Sequence, residues 1–263
     1  MKKYYNLLRY ELKTIVKDPM GIFMLIYPFM MLGIIGFLLP AILERTNTGG
    51  AGAMYALLAG FAFALSAGGF IMGALLGFSL LENKDEKTML SIAVTPITVS
   101  GYALFKIAYA YVMAIVCNLI MAAGLKLFAS DAYVVGIIRL WDNISYFQIF
   151  IFSVVNSLMV PFVALILAAF AKNKIEGFAF VKGGGILLMI PVLAIINAFQ
   201  GRLQYVLGIA PNFWPVKAML NAALQSQNAA DLNYYAYMGI GAVYSVLIGI
   251  GSLRFFLKKS AKA

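Results

Sequence analysis

The side chains best suited to recognise a partner lie in one short polar segment between two long apolar stretches. This charged loop, residues 82–101, mixes acidic and basic residues at its start, continues into a short apolar turn and stops at a Thr-Pro pair. Its candidate residues are Glu82, Asp85, Glu86, Lys87, Thr88, Met89, Leu90, Ile92, Thr95 and Pro96. Acidic side chains favour a helix whose N-terminus they flank, and apolar residues rimmed by charge favour protein docking. The alternative is that the loop lies on lipid headgroups.

The same sequence carries no pattern typical of an active site. It has no histidine and a single cysteine, Cys117, so an intrachain disulfide and a His-based metal site are both excluded. No phosphate-binding loop of the form G-x-x-x-x-G-K-[ST] occurs. We therefore predict no catalytic, cofactor-binding or metal site in this chain.

The composition defines the class of protein. Hydrophobic residues make up 63% of the chain and charged residues 11%, whereas a soluble domain has about 25% charged residues. Apolar runs of about 20 residues predict membrane-spanning helices. The predicted spans are Met20–Pro40, Met54–Leu81, Tyr102–Leu127, Tyr146–Ala171, Gly183–Gln200 and Ala236–Leu253. None alternates in polarity as barrel strands do, so we predict an all-α polytopic membrane protein that is one domain over residues 1–263.

The net charge of +10 is explained by its distribution. If both termini are cytoplasmic, 15 of the 20 lysines and arginines face the cytoplasm, and the other five are Arg45, Lys126, Arg139, Arg202 and Lys217. The positive-inside rule favours this orientation in the cell membrane. The basic residues also attract anionic lipid, and without a basic groove interleaved with aromatics they do not indicate nucleic acid.

Two segments outside the spans have patterns of their own. Residues 1–19 place apolar and basic side chains on adjacent helical faces, which predicts an amphipathic interfacial helix that ends at Asp18-Pro19; a topology-setting tail is the alternative. The long loop, residues 201–234, contains a proline-marked turn formed by Pro211, Phe213, Trp214 and Pro215. A short helix dipping back toward the bilayer and an interfacial anchor both fit this turn. Lys172–Lys182 is predicted to be a basic turn.

Small and polar residues inside the spans suggest how the helices meet. Gly69, Gly73 and Gly77 repeat every four residues, a spacing that allows close helix packing. Asn118, Asn156 and Asn197 fall in three different predicted spans. We favour interhelical hydrogen bonds for these amides over substrate contact, unless several of them face one central cavity.

The charged loop resembles the first cytoplasmic loop of ABC-2 type transporter permeases. The resemblance rests on Glu82, Glu86, Thr88, Met89, Leu90, Thr95, Pro96 and, further on, Lys106. It extends to the six spans, the amphipathic N-terminus, the proline-marked outer turn and the basic C-terminus. One departure is Lys87, where the family usually has glycine before the threonine.

This resemblance implies the permease half of an ATP-driven exporter. The charged loop would form a coupling helix seated in a separate soluble ATPase subunit, which would hold ATP and Mg²⁺. A second permease copy or homologue would complete the membrane unit. A lipid, a drug, a peptide or a glycan-like substrate fits the sequence equally. The alternative is a secondary transporter or channel, which the lack of acidic residues and histidines within the spans disfavours.

Overall fold

In a computed structural model, residues 17–46, 50–85, 99–226 and 228–260 are described, together with Leu7, Arg9 and Lys13. Most of the predicted interfacial helix of residues 1–19 and the charged loop from Glu86 to Pro96 thus lie outside the described residues. Within the described ranges, six helical stretches are long and apolar enough to cross a membrane: Pro19–Arg45, Gly50–Glu82, Gly101–Phe128, Tyr146–Phe170, Lys174–Leu193 and Tyr234–Lys259. The predicted all-α polytopic fold is confirmed.

The first span is built from three helical pieces. Helix α1 (Pro19–Met31) begins at Asp18, whose carboxylate accepts hydrogen bonds from the backbone N–H groups of Met20 and Gly21 at 3.3 and 3.1 Å. A π-helical stretch, Leu32–Leu38, follows and leads into α2 (Leu39–Arg45). Pro40 has no N–H to donate to the preceding turn, which suits the change in helical pitch just before it.

The second and third spans are the longest helices. They are α3 (Gly50–Asp85) and α4 (Val99–Phe128). A helix rises about 1.5 Å per residue, so the 36 residues of α3 extend about 54 Å, well beyond a hydrocarbon core of about 30 Å. Helix α3 is therefore long enough for the start of the charged loop to lie outside the apolar layer.

A small β-hairpin follows α4. Strands β1 (Val134–Val135) and β2 (Ile138–Arg139) pair antiparallel. Gly136 has a φ of 62°, which the first central residue of a type II′ turn requires and which glycine adopts without strain. This hairpin is the only sheet within the described residues, and the sequence analysis did not predict it.

The fourth span is broken in its middle. Helix α5 (Tyr146–Ser157) starts with a capping box between Ser145 and Gln148, and α6 (Met159–Phe170) continues it after Leu158. Pro161 cannot donate a hydrogen bond to the Ser157 carbonyl, and this explains the break.

The fifth span corrects the sequence interpretation. It comprises α7 (Lys174–Gly184) and α8 (Ile186–Leu193), so helix replaces most of the basic turn predicted at Lys172–Lys182, and the span ends before Asn197. The Asn173 side chain caps α7 by accepting from the Glu176 N–H at 2.9 Å. Charged residues interspersed with apolar ones in α7 lower the local hydropathy and concealed the helix from a search for apolar runs.

The chain then forms 3₁₀ turns at Asn197–Phe199 and Gly201–Ile209, a short helix α9 (Phe213–Leu224) and the sixth span α10 (Tyr234–Ser260). We name the two ends of the bundle after their loops. At the charged-loop end α3 ends and α7 begins; at the long-loop end α8 ends and α10 begins.

Helix α3 is the axis of the bundle. It packs along α6 and also contacts α4 and α8. A Cβ atom added at Gly69 would lie only 2.6 Å from the Asn156 carbonyl oxygen. One added at Gly73 would lie 2.7 Å from Val163 Cβ, and one at Gly77 would lie 3.1 Å from the Ala164 carbonyl oxygen. The glycine stripe predicted to allow close helix packing is therefore confirmed.

Candidate functional site

The charged-loop end of the bundle holds two polar contacts at the base of the charged loop. Lys174 Nζ at the start of α7 lies 2.6 Å from Glu82 Oε1 near the end of α3. Lys106 in α4 donates to Ser79 Oγ of α3 at 3.2 Å. These contacts tie the third and fifth spans to the end of α3.

Of the charged-loop candidates, the structure places Glu82 in this ion pair and Asp85 in the last turn of α3. The other candidates lie outside the described residues: Glu86, Lys87, Thr88, Met89, Leu90, Ile92, Thr95 and Pro96. Their docking role stays a prediction.

Two of the three predicted amides form a buried polar seam across α3, α4 and the α5–α6 break. Asn118 donates to Ser157 Oγ at 3.0 Å, and Asn156 donates to the Leu65 carbonyl at 3.0 Å. Both residues are almost completely buried. They bridge helices, and each carboxamide oxygen has no partner within the described part of the chain.

Asn197 lies elsewhere. It belongs to a 3₁₀ turn after the fifth span, is exposed, and lines a cavity at the long-loop end. The three asparagines therefore do not face one central cavity.

The proline-marked turn begins the short helix α9. Pro211, Phe213 and Pro215 are buried and Trp214 is half-buried, with its Nε1–H donating to the Gly208 carbonyl at 3.0 Å. Asn212 donates to the Leu187 carbonyl at 2.8 Å and so links the turn to α8. With 12 residues, α9 extends about 18 Å and is too short to cross the bilayer. It packs on α10, α5 and α3, so protein covers its backbone.

A polar network that the sequence analysis did not single out surrounds the end of the long loop. The Asp231 carboxylate accepts from Gln204 Nε2 at 2.9 Å, from Ser226 Oγ at 2.6 Å and from Tyr237 OH at 3.4 Å, and Lys217 Nζ lies 3.4 Å away. The Lys217 and Asp231 side chains are only 9% and 6% exposed. Buried ion pairs need such additional hydrogen bonds to offset desolvation.

Both charges of this pair have shifted pKa values. Burial lowers the pKa of Lys217, although Asp231 partly opposes the shift. Burial alone would raise the pKa of Asp231, but hydrogen bonds from Ser226 and Gln204 and the Lys217 ammonium together outweigh it, so the pKa is lowered. Asp231 is therefore ionised at neutral pH.

A cavity of about 200 Å³ adjoins this network. Its walls come from the start of α3, the segment after α8, and α9 with the following turn. The lining residues are Met54, Tyr55, Leu58, Ala194, Ile195, Asn197, Gln200, Lys217, Leu220, Asn221, Leu224, Ser226, Asn228 and Asp231. One signal for it is visible in the sequence, a lysine within the otherwise apolar run of α9; the charge distribution explains that lysine equally well as one of the five residues on the outer side.

These features define a six-span α-helical membrane protein with a polar cavity at one end and a charged loop at the other. The family described as "Fluoroquinolones export permease protein Rv2686c-like" matches residues 11–252, and the chain belongs to it. Transport, export and a transmembrane location are therefore the properties of its class.

Two curated relatives are similar along nearly their whole length. The fluoroquinolones export permease proteins MT2760 and Rv2686c, from two strains of Mycobacterium tuberculosis, are each 26% identical to this chain. The alignments cover 96% of this chain and 93% of each relative. No solved structure matches the chain.

Proposed function

We propose that this chain is the permease subunit of an exporter of amphipathic drugs, powered by a separate ATPase. The observation that carries the proposal is the family match over residues 11–252, which includes the first five spans and most of the sixth. The relatives' names supply the substrate class, because both are named fluoroquinolones export permease proteins. ATP and Mg²⁺ would bind to the partner subunit.

The charged loop is the proposed docking site of the ATPase. Helix α3 is long enough to present the loop outside the apolar layer. The contacts of Glu82 with Lys174 and of Ser79 with Lys106 would pass a displacement of the loop on to α7 and α4. A tilt of these helices in two neighbouring permease subunits would change the side to which a central path opens.

The competing function is that of a secondary transporter or a channel. Coupling ions usually bind acidic side chains within the membrane. The one buried carboxylate–lysine pair described, Lys217–Asp231, belongs to the long loop and α9 rather than to a span. This placement favours the ATP-driven permease.

The decisive experiment changes the apolar turn of the charged loop. Thr88, Met89 and Leu90 are each replaced by glutamate, and drug export is measured in cells that also produce the ATPase that co-purifies with the wild type. We expect normal membrane insertion, no ATPase co-purification and loss of export. Ile137→Glu is the matched control because Ile137 is 99% exposed at the hairpin tip of the other end.

Survival of both export and ATPase co-purification in the triple variant would exclude docking at this loop. Export driven by an ion gradient alone, with the purified chain and no nucleotide, would exclude the ATP-driven permease itself.

The orientation of the chain has its own test. The only cysteine, Cys117, is buried, so it can be replaced by alanine to give a cysteine-free background. Lys174→Cys and Arg202→Cys then report the two ends through a membrane-impermeant maleimide. We expect labelling of Arg202→Cys from outside the cell and of Lys174→Cys only after lysis; labelling of both from one side would contradict the topology.

A further inference from the structure

The cavity at the long-loop end combines an apolar wall with unusual hydrogen-bonding capacity. Its apolar wall consists of Met54 and Leu58 of α3 and Leu220 of α9. Its polar groups include those of Lys217 and Asn221. Asn197 and Asn228 line it too and are exposed. The cavity is therefore reachable from the long-loop end.

Two donors on one face of α9 have unused capacity. Lys217 and Asn221 are four residues apart, and this spacing places them on the same helical face. Within the described residues, the single polar contact of the Lys217 ammonium is Asp231 at 3.4 Å, although the ammonium can donate three hydrogen bonds. Asn221 Nδ2 is buried and has no partner in the same set of residues. A buried donor without an acceptor is costly.

The acidic member of the cluster is already satisfied. Asp231 accepts hydrogen bonds from three neutral donors and neutralises one positive charge. What the cavity lacks is an acceptor rather than a donor. Asp231 also lines the cavity, and its charge balances that of Lys217. The unused groups are donors, so a carboxylate would receive charge-assisted hydrogen bonds from them, which are about twice as strong as neutral ones.

We propose that this cavity binds the carboxylate of a small amphipathic acid, held by Lys217 and Asn221 with its apolar body against Met54, Leu58 and Leu220. The cavity of about 200 Å³ is smaller than the roughly 300–1,000 Å³ typical of drug pockets. It accommodates a small aromatic acid or the acidic end of a larger molecule. Binding of the acid does not depend on the proposed function. Only the placement of this cavity on an export route rests on it.

The test uses the purified full-length chain in nanodiscs, without ATPase. The probe is 1-naphthoate, and the uncharged 1-naphthamide has nearly the same shape. Equilibrium dialysis against empty nanodiscs separates saturable binding from partition into lipid. We expect the acid to bind at least about tenfold more tightly than the amide, a ratio that corresponds to about 1.4 kcal/mol. Equal binding of the two probes would overturn the proposal.

A nearly isosteric variant assigns the binding to the cavity. Asn221→Asp replaces a donor by a negative charge, so we expect it to weaken 1-naphthoate binding about tenfold or more, the cost of losing one well-placed polar contact. Lys217→Met is the obvious second change, but it leaves Asp231 without its counter-ion, so the conclusion rests on Asn221→Asp. Undiminished binding in that variant would place the acid elsewhere and refute the site.

The matched control is Asn233→Asp. It adds the same charge at the same end of the bundle, where Asn233 accepts from the Ala236 N–H and an aspartate caps a helix equally well. We expect wild-type binding in this variant; a loss as large as in Asn221→Asp would indicate a general charge effect and contradict the proposal. Because the assay contains no ATPase, binding can fail while export persists, and export can fail while binding persists.

Discussion

The second and fifth spans form opposite environments within one bundle. In the second span, 83% of the most apolar stretch is buried by the rest of the protein, but in the fifth only 11% is. The second span has three glycines where it lies against the backbone of the fourth span, and the fifth exposes large apolar side chains such as Ile175, Phe178 and Ile186. High hydropathy alone therefore does not indicate whether a membrane helix faces protein or lipid.

The difference follows from how helices associate in lipid. Apolar side chains gain little by leaving lipid tails for protein, so close packing of small residues and interhelical hydrogen bonds determine which helices associate. The second span offers both, through its glycine stripe and through the Leu65 carbonyl that accepts from Asn156. The outward face of the fifth span is left for lipid or for the second permease subunit that the proposed function requires.

The largest expected effect is at the glycine stripe. Gly73→Leu should sharply lower the temperature at which the detergent-purified protein loses monodispersity, because overpacking costs about 1–3 kcal/mol or more. Even a Cβ at this position would lie 2.7 Å from Val163 Cβ. Gly183→Leu in the fifth span is the control, because no atom lies within 4 Å of its Cβ position. Equal losses in both variants would show that the second and fifth spans are packed equally tightly.

The next effect is at the buried amide seam. Asn156→Leu removes the hydrogen bond to the Leu65 carbonyl, and interhelical hydrogen bonds in membranes contribute about 0.6–1.7 kcal/mol. We expect a moderate decrease in the same thermal measurement. Asn197→Leu, at an exposed position, should leave stability unchanged. If Asn156→Leu also leaves thermal stability unchanged, close packing rather than hydrogen bonding holds the second span in place.

A smaller effect is expected where the two spans touch. Gly177 is the buried residue of α7, and a Cβ there would lie 2.7 Å from Phe78 Cε1 of α3. Because the end of a side chain can move, Gly177→Ala should cost no more than about 1 kcal/mol, the low end of overpacking. The experiment compares its thermal stability with that of Gly183→Ala, and a cost as large as that of Gly73→Leu would mean that α7 is as firmly packed as α3.

The smallest effect is expected from the ion pair between the same spans. Lys174 and Glu82 have side chains that are 47% and 35% exposed, and exposed pairs contribute about 0–1 kcal/mol. Glu82→Gln should therefore leave thermal stability almost unchanged at low and at high salt. A marked, salt-dependent loss would show that charge rather than packing positions the fifth span.

Hydropathy and charge in the sequence were enough to predict the class of protein, six crossings and the close contacts of Gly69, Gly73 and Gly77, because bilayer thickness sets helix length and only glycine permits such approach. The start of α7 was not predicted, because the charged residues between its apolar ones lower the local hydropathy even though its outward face is left for lipid. The hairpin after α4 was missed because its strands are too short to produce a pattern.

Which polar residues meet, in contrast, depends on how the helices pack. Asn118, Asn156 and Asn197 look alike in the sequence, yet the folded chain places the first two in one buried seam and the third at the mouth of a cavity. Lys217 and Asp231 are separated by the rest of α9 and the turn after it, and they are partners because the chain folds back on α9. A sequence specifies how long each apolar helix is, but the rotation of each helix about its axis depends on every neighbour it packs against, and that rotation determines where each polar group points.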